Sequence, residues 1–143
     1  MMNCKLFSTQ TSDTKVSLFI LALRILFGGL LMNHGIQKLM AFDQLSSVFP
    51  DPLGIGTNAS LILAIFGELV CSIAFIAGFL YRFSMIPMIV TMIVAFFVIH
   101  ANDPFAIKEP AFIYLIVFLC MWCLGAGKYS IDALIGQKCC MKK

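Results

Sequence analysis

Residues 24–40 read RILFGGLLMNHGIQKLM, and this stretch decides the fold class. Most of its side chains are apolar, as in a helix that crosses a bilayer, for which about 20 residues suffice. Yet it begins with a charged residue, Arg24, and carries His34 and Lys38 towards its other end. Charged groups inside a membrane are costly, so a helix with polar residues at two levels must find partners for them elsewhere in the protein.

The whole chain is unusually apolar. Hydrophobic residues make up 61% of its 143 residues, the mean hydropathy is +0.98, and charged residues make up only 12%. Ordinary soluble domains contain about a quarter charged residues. Four apolar runs have helical length, and backbone groups in lipid are satisfied within helices. The sequence predicts an all-α fold, an integral membrane four-helix bundle, in one domain over residues 1–143. The predicted helices cover about 16–39, 59–80, 83–101 and 110–127.

Lysine and arginine residues near the helix ends predict the orientation. With four crossings, both termini share one side with the turn at 81–82. That side holds Lys5, Lys15, Arg82, Lys128, Lys138, Lys142 and Lys143. The other side has only Lys38 and Lys108. We therefore expect a multi-pass protein of the bacterial inner (cytoplasmic) membrane with both termini in the cytoplasm. The basic residues form no run, so no nucleic acid partner is indicated. The longest connection, 41–58, contains FPDPLGIGTN, whose turn-forming residues predict a cap over the outer end.

Arg24 and Glu68 are the only charges deep inside the predicted helices. Counted from the helix ends, both lie near the middle of the membrane, where each costs at least about 2.5 kcal/mol unless it faces the bundle. We predict that they form an intramembrane charge pair. Such a pair would fix the packing of two helices, or it would carry protons or bind a headgroup. Gly28 and Gly29 would let a neighbouring helix come close.

A second group of polar residues is predicted at the outer end of the bundle. His34 and Lys38 share a helix face, while His100 and Glu109 flank the short outer loop. Together they would hydrogen-bond the carbonyls of a quinone, since histidine titrates near neutral pH. Alternatively, each simply reaches headgroups and water. Two histidines also suggest bis-His haem ligation, although both lie at helix ends, where a porphyrin would be poorly buried.

The cysteines give no strong signal of chemistry. Cys120 and Cys123 form CMWC, which resembles a redox dithiol, but a continuous helix presents such a pair poorly for a disulfide, so we predict packing residues. Cys139 and Cys140 are expected to be reduced in a cytoplasmic tail. No spacing of cysteine and histidine indicates a zinc site, and phosphate loops and dinucleotide fingerprints are missing. The sequence predicts no metal, and a quinone is the candidate ligand.

The ordered polar and glycine positions resemble those of the DoxX family of small bacterial membrane proteins. The matching positions are Arg24, Gly28, residues 35–38, Glu68, Gly78, Arg82, His100, Glu109 and the closing GAGKYSIDAL of residues 125–134. The chain departs from the family pattern at Pro110 and at residues 54–57. The resemblance implies a four-helix inner-membrane protein whose founding relatives are associated with a quinone-linked oxidoreductase.

Two hypotheses about function follow. The first is a membrane subunit or anchor of a redox system, quinone-linked or concerned with oxidative stress. It would have redox protein partners and lack a complete catalytic centre of its own. The alternative is a small carrier, or a lipid- or quinone-binding membrane protein, that uses the Arg24–Glu68 pair. In both hypotheses the lipid bilayer surrounds the chain, and both are compatible with a homo-oligomer.

Overall fold

The computed structural model describes residues 14–140, and the side chains of residues 14–138. Every regular element within these residues is helical. Four helices are long and apolar enough to cross a membrane: Thr14–Met40, Thr57–Ala77, Tyr81–Ile99 and Phe105–Leu124. We call them spans one to four. The predicted all-α membrane four-helix bundle is confirmed. The side chains of Cys139 and Cys140 lie outside the described part.

Span two ends at Ala77, three residues before the predicted end. Gly78 follows with a φ of 67°, and Leu80 has a φ of 45°, so the backbone is left-handed on both sides of the turn. A left-handed residue after the last helical one is a common helix terminator, and glycine adopts it without strain. Span three then begins at Tyr81. The two spans are therefore antiparallel neighbours joined by three residues.

Span four starts earlier than predicted. It begins at Phe105, so the prediction of a start at Pro110 is wrong, and the proline lies inside the helix. A proline at this position removes one backbone hydrogen bond near the helix end. The helix stops at Leu124 because Gly125, with a φ of 84°, leaves the helical region. A further helix, Ile131–Cys140, follows, which the sequence analysis did not predict.

The spans pack in chain order, with span two between one and three and span three between two and four. Their shared core is apolar and includes Ile20, Leu31, Phe75, Met85, Met88 and Phe118. Spans one and four meet through aromatic rings. The rings of Phe27 and His34 lie edge-on to Tyr114, with centroids 6.0 and 6.3 Å away.

Span one approaches span two most closely at two glycines. A Cβ on Gly28 would lie 2.5 Å from Cγ1 of Ile76, and a Cβ on Gly35 would lie 2.8 Å from the backbone nitrogen of Leu69. The close approach predicted at Gly28 is confirmed. The one predicted at Gly29 is wrong, since a Cβ there would meet nothing within 4 Å. These contacts set the register between spans one and two.

Candidate functional site

The two ends of the bundle carry separate polar networks. The tail end comprises the start of span one, the turn at 78–80 and the end of span four. The loop end comprises the long connection at 41–56 and the short connection at 100–104.

Arg24 belongs to the tail end and is surrounded by carbonyl groups. It is only 1% exposed. Its Nε donates to the oxygen of Phe75 at 3.0 Å and its Nη2 to that of Ile76 at 2.5 Å, while Nη1 donates to Ala126 and Tyr129 at 2.8 and 2.7 Å. Phe75 and Ile76 lie in the last turn of span two, where unpaired carbonyls and the helix dipole concentrate negative charge. Arg24 therefore caps span two and ties it to the segment after span four.

The same network caps the start of span three. The carboxylate of Asp132 accepts hydrogen bonds from the backbone N–H groups of Leu80 and Tyr81, at 2.9 and 2.8 Å. The backbone N–H of Asp132 donates to the oxygen of Gly78 at 3.0 Å. A Cβ on Gly78 would lie 2.5 Å from that of Ser130. The closing GAGKYSIDAL thus forms a structural cap, a role that the motif alone did not reveal.

Arg24 and Glu68 do not form an ion pair in the described part of the chain, so the predicted pairing is wrong. The prediction counted Arg24 from the tail end of span one and Glu68 from the loop end of span two. That comparison requires helices of equal length, but the spans have 27 and 21 residues. In the observed register Glu68 packs beside Gly35. Gly35 lies eleven residues beyond Arg24, or roughly 16 Å along the helix.

Glu68 pairs instead with Lys38 of span one. Its Oε2 accepts a hydrogen bond from the lysine Nζ at 2.5 Å, and the side chains are 7% and 26% exposed. Glu68 lies in a π-helical segment of span two, Phe66–Val70. Such segments occur frequently at functional sites. Because the pair is largely buried, removing either partner would leave an uncompensated charge, which is strongly destabilising.

A cavity of about 550 Å³ lies beside this pair at the loop end. Small-molecule sites usually have volumes of about 300–1,000 Å³ and largely apolar walls. The walls come from spans two and three and the long connection, and include Phe49, Leu53, Leu63, Phe66, Val90 and Ile99. Lys38, Glu68 and His100 are its ionisable lining groups. A second π-helical segment, Ala95–Ile99, contributes to the wall on span three. We call this space the loop-end cavity.

The long connection folds over the loop-end cavity. Asp51 accepts hydrogen bonds from the backbone N–H groups of Ile55 and Gly56, at 3.0 and 2.7 Å, and from the hydroxyl of Ser60 at 2.8 Å. The Ser60 hydroxyl, helped by the backbone donors, holds the pKa of Asp51 below its ordinary value. Phe49 of this connection lines the cavity. The predicted cap is confirmed.

The four residues predicted for the outer cluster lie at the loop end but do not share one site. Lys38 and His100 line the cavity, and Nδ1 of His100 lies 2.7 Å from Oδ2 of Asp103. His34 is exposed on span one and Glu109 is exposed on span four, and neither belongs to the cavity lining. The two histidines thus face different surroundings, which argues against the haem alternative.

The remaining candidate groups include one that sequence reasoning missed. Ser72, one turn after Glu68, is fully buried, and its Oγ has no hydrogen-bond partner within the described residues. Its position four residues from a buried carboxylate was the available signal. Cys120 and Cys123 are free thiols on the exposed face of span four, so the prediction that they pack inside the bundle is wrong. Within residues 14–138, acidic, histidine and cysteine side chains form no group of three that could hold a metal.

Comparisons with known proteins agree with the fold. The DoxX family model matches residues 19–101, which is more than half of the chain. A protein of Haemophilus influenzae (strain Rd), described as an uncharacterized protein, is 29% identical over 143 residues, covering 94% of this chain and 91% of the relative. No solved structure gives a significant match. The family match takes in Arg24, Lys38, Glu68 and His100. The chain belongs to the DoxX family of membrane proteins.

Proposed function

We propose that this protein is a membrane subunit or anchor of a redox system that binds a quinone in the loop-end cavity and has no complete catalytic centre of its own. The observation that carries the proposal is the cavity, in which apolar walls adjoin the Lys38–Glu68 pair and His100. A quinone has an apolar tail and a ring with two carbonyl oxygens. The lysine ammonium supplies hydrogen-bond donors for such oxygens, and so does Nε2 of His100 when the ring is protonated on both nitrogens.

The charges around the cavity favour an uncharged ligand. Lys38 and Glu68 neutralise each other, and His100 is already engaged by Asp103. An anionic headgroup would compete with Glu68 for the lysine and bring two negative charges together in a poorly hydrated site, which is costly. A quinone ring carries no charge, so the ion pair stays intact when it binds.

The binding test uses the protein in lipid nanodiscs and a short-tailed ubiquinone analogue. Trp122 is the chain's one tryptophan. A protein with both Trp122→Phe and Phe49→Trp therefore carries a single indole, in the roof of the cavity, whose fluorescence a bound quinone should quench. Replacing Lys38 and Glu68 together, by Met and Gln, should weaken binding about tenfold, the effect of losing one good charge-assisted hydrogen bond.

The matched control for this test is Glu109→Gln. It removes a carboxylate at the same end of the bundle, but Glu109 is exposed and lies outside the cavity lining. We expect His100→Gln to weaken binding and His34→Gln to leave it unchanged, since only His100 lines the cavity. A parent protein without saturable quenching, or equal losses in the cavity and control variants, would contradict quinone binding.

The role as a subunit or anchor is tested separately by purification from the native membrane in mild detergent. Mass spectrometry of proteins and lipids should find a redox enzyme and a quinone with the chain. Recovery of the chain alone, with no quinone, would count against the proposal.

The proposal includes an orientation in the bacterial cytoplasmic membrane with both termini inside. Its support is the distribution of basic residues. Lys15, Arg82, Lys128 and Lys138 lie at the tail end, against Lys38 and Lys108 at the loop end. A reporter that is active only in the cytoplasm should work when fused to either terminus and fail when inserted in the connection at 41–56. The reverse result would overturn the orientation.

A small proton-coupled carrier is the second candidate, and the buried hydroxyl of Ser72 favours it. Glu68 and Ser72 lie four residues apart in span two, so they place polar groups on one helix face below the cavity. Proton flux into liposomes should then fall in both Glu68→Gln and Ser72→Ala. If neither change alters any measured flux while both proteins fold, the carrier hypothesis fails.

A further inference from the structure

The loop-end cavity is open on the flank of the bundle, between spans two and three. Leu63 and Phe66 of span two and Val90 of span three line the cavity and are nevertheless 51%, 45% and 49% exposed. A side chain that lines a cavity and is also half exposed marks its rim. We call these three residues the flank opening. All three are apolar, as expected for a surface in contact with acyl chains.

The flank opening lies at the depth of the hydrocarbon core. Leu63 is six residues and Phe66 nine residues from the loop-end start of span two at Thr57, which corresponds to roughly 9 and 13 Å along the helix. Val90 is nine residues from the loop-end limit of span three at Ile99, again roughly 13 Å. Half of a typical hydrocarbon core is about 15 Å thick. The opening therefore faces acyl chains and not the aqueous phase.

Two other sides of the cavity carry contacts, although Leu53 of the long connection also lines the cavity at the loop end and is 62% exposed. At its base, spans two and three touch, since a Cβ on Gly67 would lie 2.7 Å from Oγ1 of Thr91 and 3.3 Å from the oxygen of Pro87. At the loop end, the connection carrying Phe49 lies over it, held by the hydrogen bonds of Asp51. The flank is thus the side on which half-exposed apolar residues of two spans replace such contacts.

We propose that the ligand enters and leaves this cavity sideways from the bilayer, through the flank opening, and that its tail remains in the membrane while its head reaches Lys38 and Glu68. This inference rests on the proposed binding function and adds the route and the ligand class. That class is a membrane-dissolved amphiphile with an uncharged head and a chain longer than the cavity. About 550 Å³ holds a molecule of drug size, not a full isoprenoid tail as well.

The test compares two probes in nanodiscs, read by the reporter protein with Trp122→Phe and Phe49→Trp. One probe is the short-tailed ubiquinone analogue and the other is the same ring without a tail, added from water. Val90→Phe fills the flank opening without adding a second indole, and overpacking of this kind costs enough to slow association of the tailed probe about tenfold. Ile86→Phe is the matched control, because Ile86 is 46% exposed on the same span, one turn away, and does not line the cavity.

The expected result is slower association of the tailed probe in Val90→Phe only, with the tailless ring little affected. Equal rates in Val90→Phe and Ile86→Phe would overturn the lateral route. Equal slowing of both probes would also overturn it, since that would mean a damaged site and not a blocked entrance.

A second measurement keeps the route testable if quinone binding itself fails. A phospholipid brominated near the end of its acyl chain should quench the indole that Phe49→Trp places in the roof of the cavity. Adding Val90→Phe, but not Ile86→Phe, should abolish that quenching. Quenching without quinone binding would refute the quinone proposal alone. An unquenched indole in the reporter protein would refute the flank opening.

Discussion

Replacing Arg24 by methionine tests whether the tail-end network holds the bundle together. Methionine keeps an unbranched chain but has no donors, so the four carbonyl groups that Arg24 binds at 2.5–3.0 Å lose their partner. Each buried acceptor left unpaired costs about 1–3 kcal/mol. Release of the buried guanidinium from its desolvation penalty offsets part of this loss. Four unpaired acceptors, reduced by this offset, give an expected net loss of about 3–5 kcal/mol in the free energy of unfolding.

The assay is unfolding in mixed micelles with a rising fraction of SDS, followed by the fluorescence of Trp122. Arg82→Met is the matched control, because Arg82 is exposed at the same end, and a surface change of this kind stays within about 0.5 kcal/mol. Arg24→Lys should fall between parent and Arg24→Met, since a single ammonium cannot reproduce the guanidinium fork. If Arg24→Met is as stable as Arg82→Met, the tail-end network does not stabilise the bundle.

Three further predictions use the same protein. Gly78→Ala should destabilise the protein by about 1–3 kcal/mol, because φ is 67° and the new Cβ would clash. Gly29→Ala should be neutral or slightly stabilising, because a Cβ there meets nothing within 4 Å. Unfolding in SDS compares the two variants. Asp132→Ala should cost about 1–2 kcal/mol by uncapping span three, seen as faster hydrogen exchange at the amide of Tyr81 and contradicted by unchanged protection. Asp51 has a lowered pKa, so it stabilises the long connection above the ordinary value of 3.8, and this stabilisation disappears as the pH falls through the lower folded pKa. Amide hydrogen exchange in the connection, corrected for intrinsic rates, should therefore accelerate in acid in the parent protein. This acceleration should be missing in Asp51→Asn.

The sequence was sufficient for the architecture because hydropathy and length are properties of whole segments. Four apolar runs with short connections allow few arrangements in lipid, and the bundle follows. Helix ends were less predictable, since they depend on backbone conformation. Gly78 and Gly125 end spans two and four. The sequence around a glycine in an apolar run does not indicate whether its φ is positive.

The partners of the deep charges could not be read from the sequence. It correctly marked Arg24 as a buried cation in need of acceptors, but the acceptors are carbonyl oxygens at a helix end, which every residue possesses. The Lys38–Glu68 pair depends on the register between spans one and two, which is set by the contacts at Gly28 and Gly35. Depth counting does not supply that register.

Of the residues that line the cavity, the sequence singled out only ionisable ones. Lys38 and His100 stood out because ionisable side chains are rare in such a chain, while most of the lining consists of apolar residues indistinguishable from those facing lipid. What separates Leu63 and Phe66 from other exposed apolar residues is the gap between two neighbouring spans. That gap arises from packing and leaves no mark in local composition.

The contacts between spans one and two are stronger than those between spans two and three, and this difference explains the position of the cavity. Spans one and two are fixed at both levels, by Arg24 at the tail end and by the Lys38–Glu68 pair at the loop end, with close glycine contacts between them. Spans two and three share no such polar tie at the loop end among the described residues, and each changes there to a π-helical segment. Separating them would break dispersion contacts but no charge pair, so opening here costs less free energy than separating spans one and two. The two polar levels of RILFGGLLMNHGIQKLM therefore hold span one against span two, and they leave the opposite side of span two free to admit a ligand.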